Sequence, residues 1–249
     1  MTYCVGLLLH EGMVLLSDTR TNAGLDNIST YRKMFSFEDP GERVIVIMTA
    51  GSLSVSQTTL AQLREAIEAP DATEETSIML APTMLQVAAI VGNKLAEVRE
   101  EIDHKLSASQ GASASMIVAG QRRGGAMRLF LIYPEGNFIE ASFDTPFFQI
   151  GETKYGRPIL LRGYSRDMSF EDAVKLLMVS FDSTIKANLS VGMPLDLLVA
   201  ERDVFEPVHQ RRIGADNAYY RAISVGWGEA LKLAFESLPD YSFYLPKDT

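Results

Sequence analysis

Residues 44–48 read VIVIM, a run that is apolar at every position. A strand of an antiparallel sheet with one face in water would alternate between apolar and polar residues. Apolar runs also precede it at residues 2–9 and 13–18, and residues 33–37 alternate between polar and apolar; turn residues separate these segments, which is typical of antiparallel hairpins. A strand buried on both faces fits best into two sheets that stack face to face. The sequence therefore predicts an α+β fold, a four-layer αββα sandwich with helices over the outer faces.

The rest of the chain alternates between helical and strand-like spacing of apolar residues. Ser169 and Asp172 have the spacing of a capping box at the start of one helix. No Pro-, Ser- or Gly-rich run is long enough for an interdomain linker, so residues 1–249 are expected to form a single domain. The predicted helices cover about residues 53–68, 82–104, 170–185 and 216–237, and further strands are predicted at 115–119, 127–133, 147–150 and 195–199.

Composition and charge exclude several classes of function. The 249 residues carry a formal net charge of -9 and no cluster of Lys and Arg suited to phosphate contacts, so we expect no nucleic-acid partner. One cysteine and three distant histidines give no spacing for a metal site, so no metal or other cofactor is expected. No apolar run reaches about 18 residues, and the N-terminus lacks signal-peptide features. We therefore expect a cytoplasmic protein with no membrane contact.

The histidines are poor candidates for a Ser-His-Asp site, which needs a positioned imidazole. His10 falls beside a Glu-Gly turn and is expected at an exposed hairpin tip. His104 lies at a predicted helix end, where an imidazolium suits the helix dipole, and His209 lies in a polar stretch. Neither the G-x-S-x-G nucleophile motif nor the G-x-x-x-x-G-K-[ST] phosphate loop occurs in the sequence.

The N-terminus offers a different nucleophile. Thr2 follows Met1, and aminopeptidases remove an initiator methionine when the next residue is small. Removal of Met1 gives Thr2 a free α-amine, whose ordinary pKa of about 7.7–8.0 leaves a large neutral fraction at cellular pH. That amine can take the proton of the Thr2 hydroxyl, so one residue supplies both nucleophile and base. Removal of Met1 is the only maturation step that we expect.

The ends of the predicted strands supply the other groups that such a nucleophile needs. Asp18 ends the second strand and Lys33 begins the third. The segment Thr49–Ser52 leads from the fourth strand into a helix, where free N–H groups suit an anion. If the strands are neighbours in one sheet, Thr2, Asp18 and Lys33 meet at one edge. The plain alternative is that Asp18 is a turn residue, Lys33 a solvated charge and Gly51 a spacer before the helix.

These segments resemble proteasome β-subunits and their bacterial relatives, most specifically the Anbu branch. Members of this family are N-terminal nucleophile hydrolases with the αββα fold. The resemblance covers essentially the whole chain in element order and is most specific over residues 1–60. It is carried by residues 1–7 (MTYCVGL), 17–24 (SDTRTNAG), 31–34 (YRKM), 49–52 (TAGS) and 151–156 (GETKYG).

The resemblance implies a role for each residue of the site. Thr2 resembles the nucleophilic N-terminal threonine, Asp18 the acid that orients the lysine, and Lys33 the lysine that tunes the amine. Gly51 matches the glycine whose N–H contributes to an oxyanion hole. The segment Thr21–Asn22 matches the backbone that pairs with an extended peptide substrate.

The same resemblance implies a threonine-type peptidase or amidase that acts on a peptide or a small amide. It implies a homo-oligomer of many subunits, either closed rings or an open helical variant, and leaves an unfolding or adaptor partner open. The predicted helix at residues 82–104 carries Leu85 and Ile90 off its main apolar stripe, which also favours association.

Several positions depart from the pattern of proteasome β-subunits. Glu152 stands where they carry a serine, and Asn188 stands where they carry an aspartate that supports the N-terminus. Ser190 is one place from their supporting serine, and the spacing from Asp18 to Lys33 is one residue shorter. An asparagine can accept a hydrogen bond from the amine but carries no charge. These changes leave open an alternative function, a non-catalytic or weakly active assembly or binding protein with the same fold.

Overall fold

The computed structural model describes residues 1–22, 28–105 and 112–243 of the chain. Its strands are β1 (Tyr3–Leu8), β2 (Gly12–Asp18), β3 (Arg20–Asn22), β4 (Ile28–Thr30), β5 (Met34–Asp39), β6 (Arg43–Gly51), β7 (Ala114–Arg122), β8 (Arg128–Ile132), β9 (Phe138–Glu140), β10 (Phe147–Gly151), β11 (Leu195–Glu201) and β12 (Pro207–Ile213). Its helices are α1 (Leu53–Glu68), α2 (Met84–Lys105), α3 (Arg157–Gly163), α4 (Phe170–Ala187) and α5 (Ala218–Glu236).

The strands form two five-stranded antiparallel sheets, which confirms the predicted sandwich. The first sheet has the order β10-β1-β2-β11-β12 and the second β5-β6-β7-β8-β9, while β3 and β4 pair separately. Residues 44–48 in β6 are fully buried and point alternately to two cores. Val46 and Met48 pack between the sheets, and Ile45 and Ile47 pack beneath α1 and α2. The outer face of the first sheet is covered by α4, with α3 and α5 beside it.

The four predicted helices all form, and their observed bounds differ from the expected ones by at most two residues. The side chain of Ser169 caps α4, because its Oγ accepts a hydrogen bond from the Asp172 amide at 3.1 Å. Within the described ranges, none of the helices is long and apolar enough to cross a membrane.

Several elements were missing from the prediction, and each has a physical reason. The strands β3, β4 and β9 have three residues each, too few to show a periodicity. The helix α3 spans only seven residues. The edge strand β12, which contains His209, reads PVHQRRI and is mostly exposed, so it shows no alternation of apolar and polar residues.

The expectation that Thr2, Asp18 and Lys33 belong to neighbouring strands of one sheet is wrong. Thr2 and Asp18 flank β1 and β2 of the first sheet, whereas Lys33 precedes β5 of the second. The second sheet also contains Gly51, at the end of β6. The residues come together because the two sheets are stacked, so the site lies between sheets rather than along one edge.

The residues that the structure describes leave the outer face of α5 uncovered. Of the residues of this helix only Tyr220 is buried, whereas Leu231 is 50% exposed and Phe235 is 78% exposed.

The helix α2, whose apolar residues were expected to favour association, is better covered. Its Ile90 packs against the core beneath α1 and α2, and Leu85 is 46% exposed.

Candidate active site

Thr2 lies directly before β1 and is only 8% exposed. Its carbonyl oxygen accepts a hydrogen bond from the Glu152 amide at 2.6 Å, which continues the pairing of β1 with β10. Met1 precedes it and is 61% exposed. With Met1 attached, the nitrogen of Thr2 is a peptide amide and becomes an amine only when Met1 is removed.

Lys33 enters the site from the second sheet as a buried cation. Its Nζ donates to Asp18 Oδ1 at 2.8 Å, to the Arg20 carbonyl at 2.6 Å and to the Met1 carbonyl at 3.3 Å. These three bonds use all the donors of an ammonium group. Lys33 is therefore held in place beside the peptide bond that joins Met1 to Thr2.

Asp18 is fully buried and is held by both sheets and a loop. Besides Lys33, its Oδ1 accepts from the Tyr3 amide at 2.9 Å, and its Oδ2 accepts from the Gly192 amide at 3.4 Å. Burial raises the pKa of this carboxyl above its ordinary value, while Lys33 and the two amides act against that rise. The pair is thus a desolvated one in which each charge depends on the other.

The α-amine at the start of the chain responds to the same charges. Burial lowers the pKa of the Met1 amine, and Lys33 lowers it further, whereas Asp18 raises it. A lower pKa increases the neutral, basic fraction of an amine at a given pH. The electrostatic environment at this position therefore favours an unprotonated amine.

A cavity of about 280 Å³ opens beside Thr2 and Lys33. Its wall combines both sheets with the start of α1, and most of its side chains are small. The lining residues are Met1, Thr2, Thr21, Lys33, Thr49, Ala50, Gly51, Leu53 and Ser56.

Gly51 forms one side of this cavity in a conformation that favours glycine. Its φ is +108°, and a Cβ at this position would lie 2.3 Å from the Ser113 carbonyl oxygen. The Ser52 amide bonds to that same carbonyl at 2.8 Å, and α1 begins at Leu53. The chain thus turns from β6 into α1 at the cavity.

The predicted substrate-binding segment lies in the short strand β3. Thr21 lines the cavity, and the backbone of Asn22 pairs with Ile28 in β4. The side chain of Asn22 lies outside the described part of the structure.

The model of the proteasome subunit family matches residues 2–199 of the chain. The chain belongs to the proteasome family. Solved Anbu structures are similar over nearly its whole length, which places it in that branch. An Anbu mutant from Hyphomicrobium sp. strain MC1 is 45% identical with a TM-score of 0.91, covering 97% of this chain and all of that one. Anbu from Yersinia bercovieri is 40% identical with a TM-score of 0.89, covering 98% of this chain and all of that one.

A third similar structure is described as a helical assembly of the Anbu complex from Pseudomonas aeruginosa. It is 44% identical with a TM-score of 0.90, and the match covers 97% of this chain and 98% of that one. A curated relative, proteasome subunit beta 1 of Hyperthermus butylicus, is 33% identical over 91 residues. That alignment spans 35% of this chain and 41% of the length of the relative.

Two of the positions that depart from the proteasome pattern, Glu152 and Asn188, contact each other. Asn188 Nδ2 donates to Glu152 Oε2 at 2.9 Å, and Asn188 Oδ1 accepts from the Ser190 amide at 2.9 Å. Glu152 is buried, with 6% of its surface exposed. Asn188 therefore joins the loop after α4 to the segment after β10, and its oxygen bonds to the loop itself.

No metal site accompanies these residues in the described ranges. No group of three or more His, Cys, Asp or Glu side chains there has an arrangement that could hold a metal ion.

Proposed function

We propose that this Anbu-branch chain is a threonine-type N-terminal nucleophile hydrolase that cleaves the amide bond of a peptide or small amide. The observation that carries the proposal is the position of Lys33. Its Nζ lies 2.8 Å from Asp18 Oδ1 and 3.3 Å from the carbonyl oxygen of Met1, in the peptide bond to the Thr2 nitrogen. A fixed cation at this place keeps the freed amine unprotonated and stabilises an alkoxide that develops on Thr2.

The reaction begins after Met1 is removed. The Thr2 amine takes the proton of Oγ, and Oγ attacks the carbonyl carbon of the substrate. The resulting oxyanion is stabilised by the backbone N–H of Gly51 at the wall of the cavity. The amine then passes its proton to the departing nitrogen, the C–N bond breaks, and an acyl ester remains on Thr2.

Water completes the cycle. The same amine takes a proton from water, the hydroxide attacks the ester, and the acid leaves as Thr2 Oγ regains a proton. Lys33 and Asp18 remain charged throughout, because their part is electrostatic. The short strand β3 contains Thr21 at the cavity, and its backbone suits an extended peptide that adds as a further strand.

The active form is a homo-oligomer of many copies. The apolar stripe of α5 and the cavity of about 700 Å³ between α3, α4 and α5 support this, because exposed apolar surface of this kind is typical of interfaces. Trp227 lies in the wall of that cavity, and its buried Nε1 has no hydrogen-bond partner within the described residues. A buried indole N–H normally bonds to an acceptor, which a second copy can supply. The helical assembly of the similar Pseudomonas protein favours the same arrangement.

The nucleophile is tested by substitution at Thr2 with an acylating β-lactone as the probe. The parent and Thr2→Ser, both with Met1 removed, should gain one adduct by intact mass. Thr2→Ala and the parent with Met1 retained should gain none, because one lacks the hydroxyl and the other lacks the amine. Thr153→Ala is the matched control for loss of a nearby hydroxyl and should label like the parent. Equal labelling of Thr2→Ala would rule out the terminal-threonine mechanism.

The alternative of an assembly protein without catalysis gives a different result in the same experiment. In that case the processed parent forms large oligomers but gains no adduct at any pH at which it is folded. Sedimentation velocity on the same samples separates the two functions, because it reports assembly without reference to the probe.

A further inference from the structure

Glu152 is a buried carboxyl group that the proposed reaction leaves without a role. Its two acceptor oxygens bond to Asn188 Nδ2 at 2.9 Å and to the Lys154 amide at 3.3 Å, and both donors are neutral. In the described part of the chain, no Lys or Arg side chain forms an ion pair with it, although Lys33 pairs with Asp18 nearby. Burial of a carboxylate without a counter-charge is costly.

The backbone places Glu152 opposite the nucleophile. Tyr3 pairs with Gly151 in the antiparallel β1–β10 ladder, so the next pair along is Thr2 with Glu152. The hydrogen bond from the Glu152 amide to the Thr2 carbonyl at 2.6 Å continues this register. Residues that face each other across an antiparallel pair have Cβ atoms about 5 Å apart. The backbone of Glu152 thus lies directly beside that of Thr2, and a glutamate side chain is long enough to reach across the distance between two paired strands.

We propose that Glu152 is a positioning residue whose carboxylate holds the α-ammonium group of Thr2 after Met1 has been removed. The inference rests on the proposed function in that single step. Removal of Met1 creates a new cation at the place where the buried carboxylate lacks one. Asn188 fixes the carboxylate through its Nδ2, and its own Oδ1 is held by the Ser190 amide.

The charged groups around Thr2 then act in opposite directions. Lys33 and Asp18 form a pair on the side of β2 and β5, where Lys33 lowers and Asp18 raises the pKa of the Met1 amine. In the proposed arrangement Lys33 lowers the pKa of the freed Thr2 amine, and Glu152, on the side of β10, raises it. Arg20 reaches the loop after α4, where its Nη1 donates to the Leu189 carbonyl at 3.0 Å, and Lys154 is exposed. The Tyr3 hydroxyl bonds to Ser180 and Gln149, and burial raises its pKa to about 12, so it stays neutral.

A carboxylate at this place has a consequence for the reaction. When the amine takes the proton of Oγ it becomes an ammonium, and Glu152 stabilises that charge as it forms. Loss of the negative charge makes the amine a weaker base. The amine pKa falls, the free base persists to lower pH, and the plateau rate at high pH decreases.

The test measures the pKa of the Thr2 amine without any turnover. The full-length chain is released from a cleavable fusion so that Thr2 is its first residue, and competitive labelling with fluorodinitrobenzene is followed against pH. Glu152→Gln should lower the amine pKa by about one pH unit. Glu171→Gln removes an exposed charge on α4 and should leave the pKa unchanged, so it is the matched control. An unchanged amine pKa in Glu152→Gln overturns the proposal.

A second variant keeps the proposal testable if Glu152→Gln does not fold. Asn188→Ala removes the neutral donor on Glu152 Oε2 and leaves the carboxylate freer to bind the ammonium. The amine pKa should therefore rise, in the direction opposite to that of Glu152→Gln. A purely structural role for the Glu152–Asn188 contact predicts that both variants lower the melting temperature and leave the amine pKa where it is, and that result overturns the proposal as well.

The two proposals fail in different ways. If Thr2 is not a nucleophile, the β-lactone gives no adduct, yet the labelling curves of the amine still shift between variants. If Glu152 does not contact the amine, the adduct still forms and the curves coincide. Where both hold, the pH profile of acylation follows the amine, with its acid limb displaced to lower pH in Glu152→Gln.

Discussion

The surroundings of Thr2 and the outer face of α5 are opposite in which side chains they bury and which they expose. Around Thr2 the charged groups are buried, and Lys33 and Asp18 find their partners within one chain. On α5 large apolar side chains are exposed, and Phe235 has 78% of its surface in water. The charged groups of the first region thus have their partners within the chain, whereas the described residues leave the apolar side chains of the second without cover. Chemistry and assembly should therefore respond to separate sets of substitutions.

The largest effect should come from Lys33→Ala. Loss of the cation leaves the amine more easily protonated and the alkoxide uncompensated, so the rate of acylation should fall by roughly a hundredfold or more. Sedimentation velocity should show unchanged assembly. Lys154→Ala, which removes an exposed lysine near the site, is the control and should acylate at the parent rate.

Lys33→Ala also leaves Asp18 buried without its partner, which is destabilising in itself. The double variant Asp18→Asn with Lys33→Met removes both charges and separates the two effects. It should recover much of the melting temperature and remain as slow as Lys33→Ala. If the acylation rate recovers together with the melting temperature, the role of Lys33 is purely structural.

The second prediction concerns α5, where assembly rather than the rate of acylation should change. Leu231→Glu combined with Phe235→Glu places charges on the exposed apolar stripe and should reduce the mass of the assembly several-fold in light scattering. Lys232→Glu on the same helix, also exposed, is the matched control for added negative charge. If the double variant assembles like the parent, α5 is not the interface.

Gly51→Ala should give a smaller effect, on stability. The φ of +108° and the approach to the Ser113 carbonyl both oppose a Cβ, so we expect a loss of about 2–4 kcal/mol in the free energy of unfolding. Gly124→Ala is a close control, because φ is +72° there but no atom lies within 4 Å of the added Cβ. It should cost about 1 kcal/mol. Equal losses in thermal or urea unfolding would show that the close approach at Gly51 is unimportant.

Much of this contrast could be predicted from the sequence, but not all of it. The apolar run in β6 is buried on both faces, so it identified two stacked sheets. The spacing of apolar residues in α2 and α5 is equally helical, yet their surroundings differ. A hydrophobic stripe shows that a helix needs cover and does not show whether its own chain supplies it. Only the structure distinguishes the covered α2 from the exposed α5.

The candidate site, too, could be predicted from the sequence only in part. Thr2, Asp18 and Lys33 could be named as candidates from their residue types together with the resemblance of the segments around them, and the structure places them together. The Arg20 carbonyl and the Gly192 amide, which hold Lys33 and Asp18, could not be selected, because every residue type offers such backbone groups. The contact between Glu152 and Asn188 joins residues 36 apart in the chain and depends on tertiary packing.

The position of a covalent adduct tests the central claim most directly. A peptide epoxyketone presents two electrophilic carbons, which a hydroxyl and an amine on one residue can capture together. The chain with Met1 removed should gain one equivalent, and mass spectrometry of the N-terminal peptide should place both new bonds on Thr2, at Oγ and at the α-nitrogen. An adduct on any other residue, or an N-terminal peptide of unchanged mass beside a labelled chain, would contradict a terminal-threonine hydrolase.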